Sequence, residues 1–101
     1  MKVRVVATTL GCEGGNCPTT YVTGEGTVIV QGFETRPGQV RVPASLLARH
    51  AELEGARTWT GPARPLADGW VLVDGAAVEQ LDGVEVPGVE ALVEIVGEVI
   101  A

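Results

Sequence analysis

Gly26-Thr-Val-Ile-Val-Gln-Gly32 returns 43 positions later as Gly69-Trp-Val-Leu-Val-Asp-Gly75, with both glycines kept and valine at the same two places in each copy. Each copy is a short apolar, β-branched run bounded by glycine, which reads as a strand with a turn at either end. Further on, Val40-Arg-Val-Pro-Ala-Ser-Leu-Leu-Ala48 aligns with Val93-Glu-Ile-Val-Gly-Glu-Val-Ile-Ala101 at an offset of 53, leaving about ten extra residues in the second copy. Self-similarity of this kind predicts two copies of one supersecondary unit sharing a core. The units span residues 19–54 and 64–101, each running strand, loop, strand, short helix. The expected fold is therefore mainly β (α+β), a small sheet or barrel with internal pseudo-symmetry, in a single domain over residues 1–101.

The rest of the chain reads outward from this repeat. Residues 1–7 alternate Val3, Val5 and Ala7 with Lys2 and Arg4, the period-2 pattern of a strand with one face in a core. The loop GCEGGNCP at residues 11–18 concentrates turn formers and both cysteines. Residues 19–23 and 27–33 read as a hairpin closed by Gly24-Glu25-Gly26, and residues 39–42 as a fourth strand entered through Arg36-Pro37-Gly38. Pro43 suits the first turn of a helix carrying Leu46, His50 and Leu53 on one side, with Gly55 as its stop. Residues 58–69 hold Gly61, Pro62 and Pro65 and are expected to be irregular; residues 70–74 form the next strand. Residues 89–100 fit a helix face by spacing but are crowded with β-branched residues. The repeat decides for a strand over residues 92–95, with a truncated helix beginning at Val96.

At 101 residues and 46% hydrophobic composition the chain is expected to fold alone or as a small oligomer, a homodimer included. No run approaches the ~20 apolar residues of a membrane span, and no signal-peptide pattern opens the chain, so the expected location is the cytoplasm. Charge is divided unevenly. Residues 1–64 carry all seven Lys and Arg against five acids, whereas residues 65–101 carry eight acids and no base. With a net charge of −6, direct binding of duplex DNA is disfavoured, because such binders neutralise phosphates with clustered cations.

The run Gly14-Gly15-Asn16-Cys17, followed by Gly26-Thr-Val-Ile-Val-Gln and Val40-Arg-Val-Pro-Ala-Ser-Leu-Leu, resembles the small actinobacterial domain of unknown function found in BldB-like regulators. The same half, through Cys17-Pro-Thr-Thr-Tyr-Val-Thr, is similar to another group of short actinobacterial proteins of unknown role. The first resemblance implies a non-enzymatic accessory protein that partners a helix-turn-helix regulator. It covers only the first half; the aromatic residue usual in that family's helix is absent from residues 45–49, and the second copy falls outside the family pattern.

Cys12 and Cys17 could supply half a zinc site, with His50 and a carboxylate or a second chain completing four ligands, or could close a small disulfide. Two free loop thiols is the leading reading, because a lone Cys pair is a weak metal signal. Cys17 and His50 could act as nucleophile and base, but no orienting or oxyanion motif accompanies them, so no enzyme is expected. The glycines at 11, 14 and 15 lack the spacing of a phosphate loop.

The leading functional expectation is a protein-binding regulatory module without a cofactor. It would dock a basic partner, such as a DNA-binding regulator, through Glu90, Glu94 and Glu98, with Trp59 as an aromatic anchor if exposed. The alternative is a swapped-hairpin-like DNA-binding protein using Arg36, Arg41, Arg49, Arg57 and Arg64 as phosphate contacts. A zinc- or redox-responsive module at Cys12 and Cys17 is the third.

The repeat places Val28 and Val30 in one core with Val71 and Val73. Val30→Asp should therefore abolish cooperative thermal unfolding, since an unpaired buried charge costs several kcal/mol. A soluble, cooperatively melting variant would contradict the repeat-based core.

Overall fold

The computed structural model describes residues 3–9, 17–81, 83, 84, 86 and 88–95. Its elements run β1 (Val3–Thr8), β2 (Thr19–Thr23), β3 (Val28–Arg36), β4 (Gln39–Pro43), α1 (Ala44–Leu53), β5 (Arg64–Pro65), β6 (Trp70–Asp74), β7 (Ala76–Val78) and β8 (Glu90–Glu94), with a 3-10 turn at Ala67–Gly69 before β6. The eight strands join one antiparallel sheet that is not closed. The mainly β expectation holds, and of its two forms it is the sheet rather than the barrel that is seen.

Pairing within this sheet follows the sequence repeat residue by residue. Ile29, Val30 and Gln31 of β3 lie opposite Glu94, Val93 and Leu92 of β8. Moving each residue to its counterpart in the other copy gives Leu72, Val73 and Asp74 opposite Arg41, Val40 and Gln39, which is the register of β6 with β4. The hairpins repeat as well. Tyr21 opposite Ile29 and Val22 opposite Val28 become Arg64 opposite Leu72 and Pro65 opposite Val71. Phe33 opposite Arg41 and Glu34 opposite Val40 become Ala76 opposite Glu94 and Ala77 opposite Val93. Each unit thus pairs its first long strand with the last strand of the other, about a pseudo-two-fold axis.

The conserved glycines of the two copies have physical work in this arrangement. Gly26 and Gly69 adopt φ of 87° and 81°, a conformation that L side chains resist, in equivalent turns. Those turns are closed by the Thr23 N–H to the Thr27 carbonyl at 2.9 Å and by the Leu66 N–H to the Trp70 carbonyl at 2.7 Å. Gly32 lies where β3 leaves β2 and takes up β4 along the same edge; Gly75 separates β6 from β7 at the corresponding point. A Cβ on Gly32 would stand 2.8 Å from the Arg41 carbonyl oxygen, and one on Gly75 would stand 2.5 Å from the equivalent oxygen of Glu94.

The inner side of the sheet gathers the paired valines. Val28, Val30, Val40, Val42, Val71, Val73, Val93 and Ile95 form one buried cluster, covered by Leu46 and Leu47 of α1. Pro43 is the residue before α1 rather than within its first turn, extended at ψ 137°. At the other end Gly55, with φ 85°, donates to Glu52 O at 3.1 Å and Ala56 donates to Ala51 O at 2.8 Å, the paired bonds of a Schellman stop.

Three sequence expectations change. Residues 58–69 are not wholly irregular, because Arg64 and Pro65 form the edge strand β5; proline is tolerated there, where no neighbour needs its missing N–H. Residues 76–78 form β7, too short to show a period. The last strand runs over Glu90–Glu94, two residues earlier than expected, with the strand preferred to a helix there; the expected helix from Val96 onward lies outside the described residues.

Because the two bends are equivalent, Gly32→Ala and Gly75→Ala should each destabilise the fold by about 1–3 kcal/mol, the usual cost of overpacking. Urea unfolding measures both. An unchanged midpoint for either variant would contradict the close approach.

Candidate functional site

The outer side of the sheet differs sharply between its two pseudo-equivalent halves. On one half, Tyr21, Ile29 and Leu92 are buried beneath the chain connecting β7 to β8, which contributes Leu81, Val84 and Val86. The Tyr21 hydroxyl donates to Gln31 Oε1 at 2.6 Å, and Gln31 Nε2 donates to Glu90 Oε1 at 2.8 Å. Burial foremost, and the Glu90 charge as well, raise the Tyr21 pKa against a lowering contribution from the Thr19 hydrogen bond. The connecting chain is where the second copy carries its extra residues. In the first copy the equivalent link between β3 and β4 is a tight turn, and among the described residues nothing of that kind covers the other half.

The uncovered half carries Arg64, Leu72 and Gln39 where the covered half has Tyr21, Ile29 and Leu92. Beside them Arg41 stacks over Trp70, with its guanidinium carbon 4.5 Å from the ring centroid, and lies 5.6 Å from that of Phe33. The two rings are 5.9 Å apart and tilted by 52°. Both aromatics are half-buried and Arg41 is exposed. Asp74 accepts from Gln39 Nε2 at 2.8 Å and pairs with Arg64 at 3.4 Å and Arg36 at 3.8 Å. Both arginine side chains are more than 60% exposed, at 67% and 62%, so each pair contributes only about 0–1 kcal/mol. The face holds three guanidiniums and one carboxylate above an aromatic and aliphatic floor.

Equivalence sharpens the contrast. Arg41 corresponds to Glu94, Trp70 to Thr27 and Phe33 to Ala76, and the register shift after Glu34 makes Arg36, opposite Gln39, the counterpart of Val78, opposite Leu92. Where Arg41 stacks on Trp70, the other half has the Thr27 hydroxyl donating to Glu94 Oε2 at 2.6 Å.

The residues expected to bind a partner are placed differently. Glu90 is buried and bonded to Gln31, Glu94 is half-buried and bonded to Thr27, and Glu98 lies outside the described residues. The three therefore make no exposed acidic face among the described residues. Trp59 is turned to the core, its ring 5.6 Å from that of His50 at 83°, with its N–H donating to Pro62 O at 3.4 Å. Phe33, Arg41 and Trp70 were not expected as a group. The signal that finds them is the set of positions at which two otherwise matching copies differ in chemistry.

Cys17 is buried and disulfide-bonded, which corrects the expectation of two free loop thiols; Cys12 lies outside the described residues. In that state Cys17 offers neither a nucleophilic thiolate nor a metal ligand. A groove of about 350 Å³ between the β3–β4 turn and β8 includes Glu34, Glu79 and Glu90 in its lining. Among the described residues no group of three metal-donor side chains converges.

His50 is fully buried. Its Nδ1 lies 2.7 Å from Thr20 Oγ1, which also accepts the Ala7 N–H at 3.2 Å, and its Nε2 has no hydrogen-bond partner among the described residues. Desolvation, more than the nearby Arg4 and against the pull of Glu54, lowers its pKa below the usual 6.5. The unfolded chain therefore takes up a proton that the folded one refuses. This site's contribution to stability is full above about pH 6.5 and falls as the pH drops below it. His50→Asn, which retains a polar atom near Thr20, should lower the melting temperature at neutral pH yet flatten its fall between about pH 6.5 and 5. Parallel melting curves for the two proteins across that range would contradict the assignment.

No protein-family model, curated protein or solved structure matches the chain.

Proposed function

We propose that the chain is a non-catalytic, protein-binding regulatory module whose contact surface is the uncovered outer face around Arg41, Phe33 and Trp70. One observation carries this reading: pseudo-equivalent halves of one sheet differ in that the first is roofed by its own chain while the second has no such roof among the described residues. On the open half the exposed arginines and half-buried large aromatics are of the types that concentrate binding energy in protein interfaces. The resemblance to BldB-like domains makes a helix-turn-helix regulator the first partner to try. A cytoplasmic setting would go with a labile disulfide at Cys17, since that compartment keeps thiols reduced.

A DNA-contacting role is the second reading, favoured by the strand exchange between units and by Arg36, Arg41 and Arg64 sharing one face. Arg49 and Arg57 stand apart from that cluster, on the exposed side of α1 and beyond its end. The net charge of −6 opposes it.

Arg41→Glu should leave the melting temperature within a few degrees of the parent and abolish co-purification of the partner from the native host. Glu25→Lys, on the exposed β2–β3 turn, should leave co-purification intact. Loss of the partner with both variants, or with neither, would contradict the placement of the contact surface.

A further inference from the structure

We infer that the partner presents an acidic, extended segment to this face, its carboxylates bound by Arg41 and by Arg36 and Arg64 on either side of it; this rests on the contact surface proposed above. The sign of the charge is the first argument. Three arginines stand against Asp74, and the same positions on the roofed half hold Glu94, Val78 and Tyr21. Among these equivalent positions, cationic side chains thus occur on the half that is open and not on the one that is covered.

The state of each guanidinium is the second. Arg41 forms no ion pair among the described residues, and its guanidinium carbon lies over the Trp70 ring, 4.5 Å from the centroid. A stacked guanidinium keeps its N–H edge free, and that planar fork matches a carboxylate in a two-point contact. Arg36 and Arg64 lean on a shared Asp74 from exposed positions, so either can turn to an incoming carboxylate while the other keeps Asp74 paired. Between the charges, Trp70, Leu72, Phe33 and Pro43 are half-buried and offer apolar surface to the residues that separate the partner's acids.

Single-stranded nucleic acid is the competing occupant, since aromatic side chains and arginines on a sheet also stack bases. Two features disfavour it. Arg41 already occupies the face of Trp70, and a phosphate at every nucleotide meets the repulsion of a chain at −6 more fully than a few spaced carboxylates do.

The test uses the full chain and three probes: a short synthetic peptide of glutamates interspersed with leucines, its lysine counterpart, and an oligothymidylate of similar length. The two indole N–H signals give the readout, with Trp59, packed on His50, as the internal reference. The glutamate peptide should shift the Trp70 signal and leave that of Trp59, with an affinity that falls as salt is raised. Arg41→Ala should weaken that affinity about tenfold, the loss of one charge-assisted contact, and Arg41→Lys should fail to restore most of it because the fork is gone. A Trp70 shift with the lysine peptide or the oligothymidylate and none with the glutamate peptide would overturn the acidic partner while leaving the contact surface standing. No shift with any probe would also overturn it, and the surface itself would then be judged by its own Arg41→Glu test with the native partner.

Discussion

Strand exchange between the two halves is the constraint from which the rest of the molecule follows. Because β3 of the first unit pairs with β8 of the second, and β6 of the second with β4 of the first, neither half has a finished sheet alone. The valines at 28, 30, 71 and 73 meet those at 40, 42 and 93 only once both exchanges are made. Each exchange needs a long strand to pass from one neighbour to another, and at that point the backbones approach closely enough that Gly32 and Gly75 can carry no side chain. Burial of the inner valines supplies the main driving force, and the glycines make the geometry that buries them sterically open.

Given one framework built twice, the outer surfaces were free to diverge, and they diverged in coordinated fashion. The lengthened connection of the second copy places Leu81, Val84 and Val86 over Tyr21, Ile29 and Leu92, and the polar groups caught beneath it satisfy one another through Gln31 and Glu90. The short turn of the first copy leaves the equivalent surface without such a cover among the described residues. Its positions are filled by side chains that tolerate water and still make specific contacts: arginines, half-buried aromatics, and a single aspartate that keeps two of the arginines in place.

What was legible in the sequence is what repeated. The pairs Val28/Val71, Val30/Val73 and Val40/Val93, together with the matched glycines, mark strands, core positions and the two-unit plan, and they favour a strand over a helix at residues 92–95, close to the Glu90–Glu94 strand observed. What escaped lay where local pattern is silent. Arg64 and Pro65 read as loop because a two-residue edge strand has no period of its own, although they occupy the places of Tyr21 and Val22. The glutamates near the end read as a solvated acidic face because spacing alone does not reveal the connection that folds over Glu90. The cluster of Phe33, Arg41 and Trp70 joins three strands that are distant in sequence, so only the pairing register brings it together. The disulfide at Cys17 is invisible to composition, because a lone cysteine pair is equally compatible with free thiols, a disulfide or half a metal site.

The most direct test of this account is the set of cross-strand proton contacts in an NMR spectrum of the full chain. Strand exchange requires backbone contacts between Val30 and Val93 and, equally, between Val40 and Val73. Observing both would establish the paired exchange on which the open face depends. Contacts between Val30 and Val73 instead, or one of the two exchanges without the other, would contradict it.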